Sequence, residues 1–315
     1  MSLEVILTLI ALLAGVAFVV LLYRKRKNER PDAVVIEKLT MDKLLNDVKV
    51  ELADIIKEET SFGKDDEEWE AAYKRKKRLK AAMKNCIYGI EADKIIVKDL
   101  IRDVVKTRLP TEEAIAELID FNGVYVEPMV KWEILMYFLK KKYKKDAMTY
   151  IIKTYGWDRV RYDIEDHTTP HHLVTVEDLE EVYKAEINRP LTYYEQLDIM
   201  ATILFTKYKG FGGIDTLREQ NVDGINIGTS GSIISSFLDV DSDLPKAPRS
   251  IWIYYDGKYI HLDFLTTYTE EEMRRIILLI CMYNNPGSLT EKRGYMVNTM
   301  YDKTRVLAIR PGAGE

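Results

Sequence analysis

IWIYYDGKYIHLDF, residues 251–264, is the stretch whose reading decides the fold. Asp256-Gly257 forms a two-residue turn, because both residue types tolerate the positive φ of a hairpin turn that twists with its strands. Pairing outward from it sets Ile253 opposite Ile260 and Ile251 opposite Leu262 on one face. Tyr254 opposite Tyr259 and Trp252 opposite His261 fall on the other. The first face predicts core. The second is amphipathic, which makes His261 a sheet-surface residue rather than a catalytic base. Downstream, Thr269 and Glu272 make a capping box for a helix with Met273, Ile276, Ile277 and Ile280 on its buried side, stopped by Asn285-Pro286-Gly287. A second hairpin closes the chain: GYMVNTMY (294–301), a turn at Asp302-Lys303, then TRVLAIR (304–310). With a short strand at 225–227 placed before them, these elements describe a small α+β domain, a helix packed on an antiparallel sheet.

Working towards the N-terminus, the pattern becomes helical. Thr192 and Glu195 form another capping box, Leu197, Met200, Ile203 and Leu204 a face, and Gly210 a stop. Trp132, Leu135, Met136, Leu139 and Tyr143 share a stripe after Pro128, and Leu44, Leu45, Val48, Leu52, Ile55 and Ile56 share another. Thr111 with Glu112 and Glu113 starts a helix that the reading carries to Asn122-Gly123. A charged helix lies between, acidic over 65–68 and basic over 74–80, signs that complement a helix dipole. Its basic run reads as a solvated face, with Glu70 placed to pair with Lys74.

The first residues differ in kind. LEVILTLIALLAGVAFVVLL (3–22) is apolar apart from Glu4 and Thr8 and is about the length a bilayer core requires. Arg24, Lys25, Arg26, Lys27 and Arg30 follow it, so the positive-inside rule places the N-terminus outside and the body in the cytoplasm. The expected organisation is a transmembrane anchor over 1–23, a mainly helical cytoplasmic region over 24–190 and an α+β domain over 191–315.

Several chemistries can be tested against the spacing. The 315 residues carry a net charge of -5, which argues against a body devoted to nucleic acid. Cys86 and Cys281 match no metal or redox spacing and read as reduced thiols. The HTTPHH stretch (167–172) offers His167, His171 and His172, but Pro170 marks a loop and no carboxylate or cysteine completes a ligand set. Asp239, Asp241 and Asp243 suggest a calcium loop, yet its required glycine and glutamate positions hold Leu244 and Ser250. GTSGS (228–232) lacks the lysine of a phosphate loop, and GxxxxGK[ST] occurs nowhere in the chain.

MVNTMYDKTRVLAIRP (296–311) resembles the passage of type II/IV secretion ATPases that runs hydrophobic strand, Asp-Gly-Ser-Arg, Val-x-Ala-x-x-Pro-Pro, in the CpaF-like (Tad/Flp pilus) branch. KGFGGID (209–215) and NVDGINIG (221–228) are similar to the two parts of Y-G-x-G-P-L-E-x-L-L…D-x-x-V-x-E-I-M-V-N-G in the same family. Gly213 stands where the family has proline, and Lys303 where it has a turn glycine. The resemblance covers about the last third of the chain. It implies a PAS-like N-terminal domain that precedes a RecA-like motor, hexameric assembly, and inner-membrane platform proteins as partners beside the lipid bilayer. No cofactor is expected on this chain alone. ATP and Mg would bind only with the motor domain, and Arg305, with Arg310 second, would reach the phosphates. The chain stops at Glu315, where that motor would begin, so the expectation is one side of an ATP site without hydrolysis. A tethered adaptor or scaffold with no nucleotide role is the alternative.

Overall fold

The computed structural model describes residues 39–57, 66–162, 170–228, 250–266, 270–287, 289–290 and 292–309. The chain is α+β, about 61% helical with small sheets. Among the described residues no helix is long and apolar enough to cross a membrane. This corrects the expected fold class, which included a transmembrane helix. The described helices are amphipathic: even α5 (Pro128–Tyr143), with the largest buried side chains, carries Lys131, Glu133 and Lys140 to Lys142. The stretch 1–23, where the span was expected, lies outside the described residues, as do Thr269, His167 and Asp239 to Asp243.

Helices dominate the first two thirds. α1 (Met41–Lys57) buries Leu44, Val48 and Leu52 at four-residue spacing. Among its described side chains, α2 (Asp66–Asn85) buries only Leu79, Ala82 and Met83, all in its second half. α3 (Glu91–Arg108) buries Val97, Ile101, Val104 and Val105. α4 (Glu112–Ala116) is capped by the Thr111 hydroxyl and ends well before Asn122. After α5 come α6 (Ala147–Tyr155), α7 (Val176–Glu186), α8 (Tyr193–Tyr208) and the single-turn α9 (Asp215–Arg218). The expected box at α8 is present: the Thr192 N–H donates to Glu195 Oε2 at 2.9 Å. Arg275 closes the other end of α8 by donating to the carbonyls of Thr206 and Gly210, at 3.0 and 2.8 Å. The Thr206 carbonyl is one that a helix end leaves without a partner, and Gly210 lies just past that end.

The strands are β1 (Arg161–Tyr162), β2 (Pro170–Val174), β3 (Gly224–Gly228), β4 (Ser250–Tyr255) and β5 (Lys258–Thr266), in the order β1-β2-β5-β4-β3. The sheet is mixed, not purely antiparallel: β2 runs parallel to β5. The HTTPHH stretch is therefore partly strand. Pro170 leads it, at the first residue of the strand, a position where a missing N–H is tolerated. The sheet thus draws on both sides of residue 190, and residues 41–315 form one unit. The central hairpin keeps the expected register at Trp252↔His261, Ile253↔Ile260 and Tyr254↔Tyr259, but a bulge between Ser250 and Trp252 removes the Ile251–Leu262 pairing. Asp256 and Gly257 both have positive φ, at 49° and 73°. Ile251, Ile253, Ile260 and Leu262 are fully buried, and Phe264 meets the rings of Trp132 and Trp157 at 5.5 and 5.7 Å between centroids. On the outer face Trp252, Tyr259, Tyr254 and His261 stack on one another with centroids 4.3 to 4.4 Å apart.

The chain then forms α10 (Glu270–Met282) and a separate two-stranded ribbon, β6 (Tyr295–Thr299) with β7 (Arg305–Ile309). Five residues, Met300 to Thr304, join the strands, with Lys303 at φ 71° in the left-handed position that a glycine fills without strain.

Candidate functional site

The terminal ribbon has two unlike faces, because side chains alternate along a strand. Met296, Asn298 and Ala308 point inward and are buried. Asn298 Nδ2 donates to the carbonyls of Ile280 and Tyr283 at 2.9 and 2.8 Å, capping the last turn of α10. The tip is tied down by Asp302, which takes the Arg218 guanidinium at 2.7 Å. Arg218 itself is buried: it stacks on Phe211 at 4.6 Å and donates to the carbonyls of Ile87 and Tyr88. The acid of the closing passage is thus an anchor, a role its position in the chain did not reveal.

The outward face pairs Tyr295 with Ile309, Val297 with Leu307 and Thr299 with Arg305. Its four apolar members are 57–62% exposed. Arg305 is exposed at the tip end of the same face. Arg310 lies outside the described residues. The expected phosphate-reaching arginine is therefore placed beside an open apolar strip.

A second neighbourhood escaped the sequence reading. Lys94, on α3, places its ammonium 3.2 Å from Asp215 and 3.1 Å from Glu219, with Lys94 and Asp215 almost wholly buried. Lys140 also pairs with Glu219. Burial works against the Lys94 ammonium, but Asp215 and Glu219 outweigh it and raise its pKa. Burial likewise disfavours the Glu219 carboxylate, yet Lys94 and Lys140 hold it well below the usual range. Asp215 also accepts from the Phe211 N–H at 3.2 Å, which fixes the glycine-rich turn of 210–213. Lys98, one turn along α3, sits 5.2 Å over the Phe205 ring, and burial lowers its pKa.

Next to this cluster is a cavity of about 340 Å³ whose wall includes Tyr125, Met129, Val130, Ile203, Glu133 and Glu272. Burial pushes the Glu133 carboxyl up to about 7, with Lys98 and the Thr216 hydroxyl, 3.1 Å away, pulling the other way. A carboxyl there can give or take a proton near neutrality. Lys94 was detectable in principle, since it falls on the buried stripe of α3 with Val97 and Ile101. Its partners were not, because they lie 121 and 125 residues away. The histidines of 167–172 do not form a ligand set among the described residues; His172 is in β2, its Nδ1 buried without a partner. Set against known proteins, the chain matches no family model, no curated protein and no solved structure.

Proposed function

We propose that this chain is an interaction module whose terminal ribbon seats a partner, with Arg305 meeting an anionic group across the contact. One observation carries this reading: Tyr295, Val297, Leu307 and Ile309 form a continuous exposed strip on a ribbon whose opposite side is buried and hydrogen-bonded. Contiguous exposed apolar surface is a feature of binding sites. The resemblance to secretion ATPases supplies a partner class, a nucleotide-binding motor domain. ATP and Mg would then belong to the partner, and the Arg305 guanidinium suits phosphate oxygens because it is always charged and binds them bidentately. The second reading, an adaptor without a nucleotide role, is favoured by the internal use of Asp302 as an anchor for Arg218.

A photo-crosslinking residue at Val297 in cells tests the proposal. The expected product is a covalent complex with a protein bearing GxxxxGK[ST], lost when Leu307→Asp is added. ATP turnover by that partner should fall tenfold or more with Arg305→Ala. A crosslinked partner without a phosphate loop would select the adaptor reading. ATP hydrolysis by the purified chain, or no crosslink at all, would overturn both.

A further inference from the structure

The first half of α2 stands clear of the body. From Glu68 to Arg78 every described side chain is exposed except half-buried Lys76, and packing starts at Leu79. A projecting helix of this kind has no need of aromatic residues, yet Trp69 and Tyr73 lie on one side of it, 45% and 48% exposed, stacked at 5.4 Å with their planes 7° apart. The charges around this stack are sorted along the helix. Glu68 and Glu70 come before its midpoint, and Lys74, Arg75, Lys76, Lys77 and Lys80 after it.

We propose that two copies of this chain pair through the projecting half of α2, antiparallel about a two-fold axis at Tyr73. The sorting of charge selects this occupant. A uniformly acidic or basic partner would complement one half and repel the other, whereas an antiparallel copy presents the opposite order by symmetry. With the axis at Tyr73, Glu70 faces Lys76 of the second copy, Trp69 faces its Lys77 as a cation–π pair, and the two tyrosines meet at the centre. The contact is isologous, so it closes at a dimer. The Glu70–Lys74 pair within the helix does not compete strongly, since its side chains are 61% and 71% exposed and such pairs are weak. Arg78 takes no part, being held by Asp93, and Lys76, which is half-buried and already makes a contact within its own chain, shares its ammonium with Glu70 of the second copy.

Sedimentation of the full chain decides the matter. A monomer–dimer equilibrium is expected, with a dissociation constant at least tenfold higher at about 500 mM salt than at about 50 mM. Glu70→Lys should be monomeric, as should Lys76→Glu with Lys77→Glu, while an equimolar mixture of the two variants should dimerise again. Tyr73→Arg, which sets like charges on the axis, should also be monomeric, and Leu307→Asp on the terminal ribbon should dimerise as the wild type does. The proposal is overturned by a wild type that stays monomeric at low salt, by a charge-reversed variant that dimerises unaided, or by a mixture that remains monomeric. If a reversed variant does not fold, the salt dependence of the wild type and the Tyr73→Arg result still decide it.

Discussion

The molecule contains two hairpins made by the same local rule and used in opposite ways. β4–β5 sits inside a five-stranded sheet with its inner face on Trp132 and Trp157, and its outer aromatic rings cover one another. β6–β7 is a sheet of its own, attached on one face and open on the other. A lone two-stranded ribbon is marginal in water. β6–β7 is kept in place by buried Met296, Met300 and Ala308 together with two polar anchors, Asn298 on the end of α10 and Asp302 on Arg218. Both hairpins bury apolar residues on their inner faces, but the second also leaves an apolar outer face, Tyr295, Val297, Leu307 and Ile309, open for contact.

Equivalent truncations should separate the two most sharply. Ile260 is fully buried, so Ile260→Ala removes packed methyl groups and leaves a cavity, an expected loss of about 2–5 kcal/mol in denaturant unfolding. Leu307→Ala, 60% exposed, should change stability by less than about 0.5 kcal/mol while weakening partner binding. Equal losses at both positions would mean that the outer strip of β6–β7 is part of the core.

The body and the ribbon should also respond differently to pH. Glu133 has its folded pKa raised from 4.5 to about 7, chiefly by burial. The folded state keeps a proton that the unfolded chain releases in that window, so the group's contribution to stability is lost as pH rises from 4.5 to 7. The full shift corresponds to about 3–4 kcal/mol. Glu133→Gln, which can still accept from Thr216, should flatten that slope and be the more stable protein above pH 7. Hydrogen exchange in β6–β7 should not follow the slope unless the ribbon opens only with the whole molecule. An unchanged slope in Glu133→Gln would assign the pH dependence to another group.

Asn298→Ala removes the donor to two helix-end carbonyls and should cost roughly 1–3 kcal/mol. The effect should be local: faster amide exchange across β6–β7 with β4–β5 unchanged. Loss of protection in both hairpins together would show that the ribbon is an integral part of the fold.

The same contrast explains what the sequence displayed. The turn at Asp256-Gly257, three of its four cross-strand pairs and the Thr192 capping box depend on residues close in sequence, and their signals were complete. The bulge at Ser250 left no such mark. β2 has the sequence of a loop, because five residues led by Pro170 do not show a period of two. Its partner β5 lies well downstream, which hid the mixed sheet as well. The Lys94–Asp215–Glu219 cluster was hidden for the same reason, as each charge taken alone looks like a solvated one. Arg305 was found as a residue, but its surroundings follow from which face of the ribbon rests on α10. Asn298 decides that face, and nothing about an asparagine in a strand announces it as a helix cap.

The smallest expected effect concerns the second hairpin's turn. Lys303 sits at φ 71°, where a side chain is strained and glycine is not, whereas the first hairpin already has Gly257 at φ 73°. Lys303→Gly relieves that strain but gives the unfolded chain more freedom, so the net gain should be only about 0.5–1 kcal/mol. Because the ribbon is held at Asn298 and Asp302, both outside the substituted position, the gain should appear as slower exchange in β6–β7 alone. If the variant is instead less stable, the lysine side chain makes a contact worth more than the strain, and the turn is supported by its neighbours and not merely tolerated by them.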